Sequence, residues 1–177
     1  KEILRGMIDS GLSMPWKCEA RTDNLDEEIC ELMSAAGCER VKLGFESGSN
    51  RILEQVKKGE TKEQMLAGAK LLKDAGVPFT AYFMTGFPGE TDKDLKETIE
   101  FAKQIEADYY SLSVLAPYYG TEIYNSLIED GHEFEKKPWE YFFHQSPDLM
   151  VNENISEKML KEYLSLNELN ENKKVYV

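Results

Sequence analysis

Four times along this chain a short run of alternating residues gives way to a segment of helical period, an order that builds a parallel sheet covered by helices. The alternating runs fall at residues 16–21, 41–46, 79–85 and 109–115. An opening helix at 2–9 stops at Gly11. Asp26 caps the next, which carries Ile29, Leu32, Met33 and Ala36 on one face until Gly37. Ser49 begins a short helix around 51–55, and Thr61 with Gln64 forms a capping box for a longer one facing Met65, Ala69 and Leu72 inward. Thr91 and Asp94 repeat that pairing before Leu95, Ile99, Ala102 and Ile105. A turn at 117–121 leads to a helix ending near Gly131, and a last helix opens at Ser156 with Met159, Leu160, Tyr163 and Leu164 apolar. The fold class is therefore α/β. Four βα units are too few to close an eight-stranded barrel and suit an open arc of a larger one.

The two faces of each alternating run differ in kind. Lys17, Glu19 and Arg21 oppose Trp16, Cys18 and Ala20; Lys42, Gly44 and Glu46 oppose Val41, Leu43 and Phe45. Thr80 and Tyr82 oppose Phe79, Ala81 and Phe83, and Ser111 and Ser113 oppose Leu112 and Val114. With helices on the apolar face, the polar face turns to the concave side, where an ordinary barrel packs branched aliphatics. A wall of Glu, Arg, Tyr and Ser suits a polar ligand, and its carboxylates require cationic or hydrogen-bonding partners. A polar face turned to bulk water explains the same alternation, but parallel sheets with helical crossovers seldom leave one face bare. Gly44 in mid-strand marks a close approach to the backbone.

Charge and cysteine content narrow the function. Thirty-three acidic against 21 basic residues give a formal charge of −12, which repels a phosphate backbone, so no nucleic-acid partner is expected. No apolar run reaches the roughly 18 residues of a membrane span, and the reading is a cytoplasmic protein without a membrane partner. Cys18, Cys30 and Cys38 are an odd set at spacings that suit neither a chelating loop nor a disulfide framework, and read as reduced core thiols. His132 and His144 are too few for a metal site. Trp139, Tyr141, Phe142 and Phe143 read as packing or a substrate wall, and the tail after Leu169 as a frayed end.

Four strings carry a family resemblance: Trp-Lys-Cys-Glu-Ala-Arg-Thr-Asp at 16–23, Gly-Phe-Glu-Ser-Gly-Ser at 44–49, Gly-Phe-Pro-Gly-Glu-Thr at 86–91 and Pro-Tyr-Tyr-Gly-Thr at 117–121. Together, at the ends of the alternating runs, they resemble the radical S-adenosylmethionine (SAM) superfamily, particularly its cobalamin-dependent branch of the anaerobic magnesium-protoporphyrin IX monomethyl ester cyclase type. The resemblance implies the C-terminal portion of a partial (β/α)6 TIM-like barrel over residues 1–130, followed by an aromatic and helical extension at 131–177. It implies SAM lying across the strand ends beside a 4Fe-4S cluster, with cobalamin on an upstream domain. By position, Glu46 resembles the residue that binds the SAM ribose or amino-acid part, for which a carboxylate is chemically suited. Glu19 and Arg21 resemble lining residues of the same cavity, Arg21 suiting a carboxylate grip, with a mutual salt bridge as the other reading. Ser47, Lys58 and Tyr82 join the implied cofactor wall, Lys58 reading equally as a solvated helix-end charge. Gly86, Pro88 and Gly89 resemble the loop beside the adenine, or only a tight turn.

One departure is decisive. The family's cluster needs a Cys-x3-Cys-x2-Cys triplet, and the cysteines here do not form it. The expectation is a piece of a longer enzyme, inactive alone, whose cysteine segment lies upstream of Lys1. Its implied partners are the upstream half of its own barrel and a small-molecule substrate, oxidised, cyclised or methylated through a 5'-deoxyadenosyl radical. The alternative is a non-catalytic half-barrel that serves as a binding or interaction scaffold.

Overall fold

A computed structural model describes residues 1–134, 138–142, 150 and 152–170. Its sheet has four strands, β1 (Trp16–Ala20), β2 (Cys38–Glu46), β3 (Phe79–Thr85) and β4 (Tyr109–Val114), in the order β1-β2-β3-β4 with every neighbour parallel. The helices are α1 (Glu2–Asp9), α2 (Glu27–Ala35), α3 (Asn50–Gln55), α4 (Lys62–Asp74), α5 (Asp92–Ile105), α6 (Glu122–Glu129) and α7 (Glu157–Ser165). This is the expected α/β arc of a partial barrel.

The caps form as the sequence requires. Asp26 accepts from the Ile29 amide at 2.8 Å, and Thr61 with Gln64 and Thr91 with Asp94 complete reciprocal capping boxes. Three strand boundaries differ from the sequence reading, β4 by ending at Val114 one residue early. Gly37, at φ 80°, ends the α2 segment and lets β2 begin at Cys38, while Arg21 leaves β1 to precede a 3-10 turn over Thr22–Asn24. The inward face of α2 is also rotated: Cys30, Met33 and Ala36 are buried, with Ile29 and Leu32 only partly so.

The core lies between the apolar strand face and the helices. Phe45 stacks on Phe83 at 5.6 Å between ring centres, and Phe101 of α5 meets both edge-on at 6.1 and 6.2 Å. The C-terminal segment joins this core, because Ile155, Tyr163 and Leu166 are buried in the same cluster. Tyr163 donates its hydroxyl to the Ser113 carbonyl at 3.2 Å and has no exposed surface, and burial pushes its phenol well above the ordinary value. Among the described residues no helix is long and apolar enough to cross a membrane.

Candidate functional site

The polar strand face carries an open cavity of about 280 Å³ lined by Glu19, Lys42, Gly44, Glu46, Tyr82 and Ser113, together with Ala20, Phe83 and Met84. Three residues singled out from the sequence, Glu19, Glu46 and Tyr82, meet here. Lys42, which sequence reasoning passed over as a site residue, lies four positions before Glu46 on the same strand face, and that spacing was the available signal. Its ammonium lies 3.2 Å from Glu19 Oε1, and Glu19 first and then Tyr82 hold its proton more tightly than usual.

Glu46 stands at the C-terminal end of β2 on an unusual backbone. Gly44 pairs with Tyr82 and Glu46 with Phe83, so the strand bulges at Phe45, and Glu46 adopts φ 62°. A side chain in this left-handed region costs about 1–2 kcal/mol, and such strain clusters where a bulge re-aims a functional group. The Gly44 reading is also resolved: a Cβ there would fall 2.6 Å from Glu46 Oε1 and 3.2 Å from Lys58 Nζ. What approaches the backbone is the Glu46 carboxylate and its lysine.

Lys58 corrects one reading of the sequence. Its side chain is only 12% exposed, so it is no solvated helix-end charge; its ammonium lies 3.5 Å from Glu46 Oε1 and 3.7 Å from Glu60 Oε2. The cations that the wall of carboxylates requires are therefore lysines of the chain itself. Arg21 and Glu19 do not pair with each other. Arg21 binds Asp23 at 2.8 Å and approaches Glu60 at 3.3 Å, and it lies outside the cavity lining.

The remaining motif residues form a clamp. Ser47 is buried and its hydroxyl meets Thr98 Oγ1 at 3.0 Å, while the Gly48 amide donates to the same Thr98 oxygen at 3.0 Å. Ser49 Oγ donates to Asp94 at 2.8 Å, and Asp94 also accepts from Arg51 and Thr91. Burial pushes the Asp94 carboxyl up, but the Arg51, Thr91 and Ser49 donors together overcome it and hold the group well below its ordinary value. Only Glu46 of the 44–49 string faces the cavity as an acid. Its serines bind the string to α5.

Gly86, Pro88 and Gly89 are likewise held by their own chain and do not line the cavity of Glu46. Gly86 and Gly89 adopt φ 91° and 70°, and the Pro88 and Gly89 carbonyls accept from Gln55 at 2.7 Å and Arg51 at 2.9 Å. Glu90, which the sequence reading did not single out, ties this turn together. Its Oε2 accepts from Gly86 N at 2.7 Å, Thr85 Oγ1 at 3.0 Å and Phe87 N at 3.2 Å, whereas Oε1 is buried without a hydrogen bond.

Burial dominates those three donors and pushes the Glu90 carboxyl up from 4.5 to about 7. A raised carboxyl favours folding below its unfolded value, and that stability is lost as pH rises from 4.5 through about 7. The loss is on the order of 3 kcal/mol. Glu90→Gln is expected to flatten this part of the profile, so that denaturant unfolding at pH 5 and pH 8 shows the variant gaining on the wild-type protein at the higher pH. Parallel profiles would refute the assignment. Asp94, held low, loses its contribution only at more acid pH and does not enter this window.

Cys18 is only partly buried, which corrects the core-thiol reading for that residue, whereas Cys30 and Cys38 are buried; all three are free thiols. The Cys38 thiol bonds to Cys18 and lowers it to about 7, and that same bond with burial pushes Cys38 up. Among the described residues no three His, Cys, Asp or Glu side chains converge as a metal cage, so these residues do not fit an iron-sulfur cluster. The His132 ring stacks on Phe134 at 6.0 Å, Trp139 is 83% exposed and Phe142 packs on a small cluster with Tyr124. Phe143, His144 and the tail beyond residue 170 lie outside the described residues.

Known proteins resemble this chain over much of its length. The Radical SAM superfamily profile matches residues 10–102. An uncharacterized methyltransferase of Pyrococcus horikoshii is 31% identical over 159 residues, covering 88% of this chain and 34% of that protein. The anaerobic magnesium-protoporphyrin IX monomethyl ester cyclase of Rubrivivax gelatinosus is 26% identical over 165 residues, covering 92% of this chain and 30% of that protein. The radical SAM methyltransferase TsrM of Kitasatospora setae, solved with cobalamin and a 4Fe-4S cluster bound, superposes with a TM-score of 0.59 at 21% identity, over 64% of this chain and 24% of TsrM. The chain thus spans about a third of the curated relatives it matches.

Proposed function

Because this chain belongs to the Radical SAM superfamily, we propose that its polar strand face is the SAM-binding wall of a radical enzyme acting on a small molecule. The observation that carries the reading is Glu46, a strained, partly exposed carboxylate aimed into a cavity lined by polar groups. The residues present fit the cofactor's chemistry. Glu46 can accept two hydroxyls or an ammonium, Lys58 supplies a cation beside it, and Lys42, paired with Glu19, supplies another in the cavity lining. Tyr82 and Ser113 add hydroxyls to the same lining.

Bound here, SAM would supply radical chemistry for oxidation, cyclisation or methylation, with the iron-sulfur cluster that reduces it held outside the described residues. The work of this chain's residues is to bind, orient and exclude water. Glu46 fixes the polar end of the cofactor against the strand ends. The Ser47–Ser49 clamp and the Glu90-tied turn hold the flanking loops rigid, so that Glu46 does not wander. The cluster ligands, the other half of the barrel and cobalamin on a further domain belong to the same proposal, as does inactivity of this segment alone.

The test is anaerobic purification of the intact protein, with iron, sulfide and cobalt analysis and EPR of the reduced sample with and without SAM. Iron and sulfide in cluster proportion, with a signal that SAM alters, are expected. Cobalt would support the cobalamin branch. Protein that takes up no iron on reconstitution would overturn the catalytic reading in favour of a binding scaffold.

A further inference from the structure

Glu60 lies between α3 and α4 in a stretch from which the sequence singled out only Lys58. Its side chain has no exposed surface. One oxygen, Oε1, accepts from the Thr22 hydroxyl and from the Asp23 amide at 3.0 Å, holding the turn after β1. The other, Oε2, is buried without a hydrogen bond, yet lies 3.3 Å from Arg21 Nη2 and 3.7 Å from Lys58 Nζ. A buried carboxylate that spends one oxygen on neutral donors and turns the other toward two cations acts on those cations.

The Lys58 distances show what that action is. An ammonium and a carboxylate left alone close to about 2.7–2.9 Å. Lys58 instead stands between two acids, 3.5 Å from Glu46 and 3.7 Å from Glu60, tightly bonded to neither. Its flexible four-carbon stem would let it close on Glu46 if the second acid were removed. A closed pair would use up the Glu46 oxygen, the acid that lines the cavity.

We propose that Glu60 is a positioning residue for the cofactor wall: it draws Lys58 back from Glu46, keeping the Glu46 carboxylate available to a ligand that offers it a hydroxyl or an ammonium. The inference rests on the SAM-binding reading and deepens it. Glu60 touches no ligand and acts through Lys58.

A double-mutant cycle on SAM binding tests it, using equilibrium titration of the intact protein and thermal unfolding in parallel. Glu60→Gln keeps the acceptor for Thr22 and Asp23 and removes the charge that draws Lys58. It is expected to weaken SAM binding about tenfold. Lys58→Met in the same chain should abolish that effect, the double variant binding no more weakly than Lys58→Met alone. A merely structural Glu60 would give additive losses, and additivity, or wild-type affinity in Glu60→Gln, overturns the inference. Should Glu60→Gln fail to fold, Glu60→Asp withdraws the charge by one methylene and enters the same cycle with the same two outcomes. Wild-type protein that takes no SAM overturns the cofactor reading as well, a result distinct from binding with additive effects.

Discussion

Replacing Gly48 with alanine is expected to destabilise the fold by about 3 kcal/mol, a fall of roughly 6–12 °C in Tm for a chain of this size. An added Cβ would sit 2.5 Å from the Glu97 carbonyl oxygen, 2.6 Å from Phe101 Cβ and 2.7 Å from Thr98 Cα. Two of those atoms belong to the backbone of α5 and the third is fixed directly to it, so no side-chain rotation relieves the contact. The helix must move away, and the Thr98 and Asp94 bonds that hold Ser47, Gly48 and Ser49 must lengthen or break with it. Phe101 would be drawn off the Phe45–Phe83 stack. Gly6→Ala is the control, since its Cβ meets nothing within 4 Å and alanine favours a helix by about 0.5–1 kcal/mol. Thermal unfolding of the two variants distinguishes them, and a Gly48→Ala protein that melts with the wild type would show that α5 does not pack as described.

The sequence made the repeating framework legible because caps, glycine stops and strand alternation are local signals. Thr61 with Gln64, Thr91 with Asp94 and the apolar positions of α4 and α5 all act within a few residues of themselves. The site was legible only in part, because its chemistry depends on which residues meet across the fold. Ser47 and Glu46 are neighbours in one motif, yet one bonds into α5 and the other faces the cavity. Glu60 and Thr22 are 38 positions apart and meet through a buried hydrogen bond that no periodicity announces. Lys58, half dismissed as a surface charge, is largely buried and meets Glu46, which stands just past the β2 bulge, twelve positions before it in the chain. Glu90 shows the same limit from the other side. Its place in the Gly-Phe-Pro-Gly-Glu-Thr string was visible, but that the acid ties the turn from beneath is a fact of burial.

Glu46→Gly is expected to separate stability from function at the proposed SAM wall. With φ at 62°, the glutamate carries about 1–2 kcal/mol of backbone strain that glycine does not. Glycine gives back about 0.5–1 kcal/mol through the greater freedom of the unfolded chain, so Tm should hold or rise slightly. Binding should move the other way. Charge-assisted hydrogen bonds from a ligand are worth about 1.5–3 kcal/mol each, and losing the carboxylate that accepts them should weaken SAM by on the order of 100-fold. Glu46→Gln refines the result, since it keeps the strained backbone and nearly the same shape while removing the charge. It should lose affinity without gaining stability. A natural chain that keeps a glutamate where glycine fits better has a use for the carboxylate, and titration of SAM into the intact protein identifies that use. If Glu46→Gly binds SAM as the wild type does, the strain at Glu46 serves something other than this cofactor, and the polar cavity must be assigned to a different ligand.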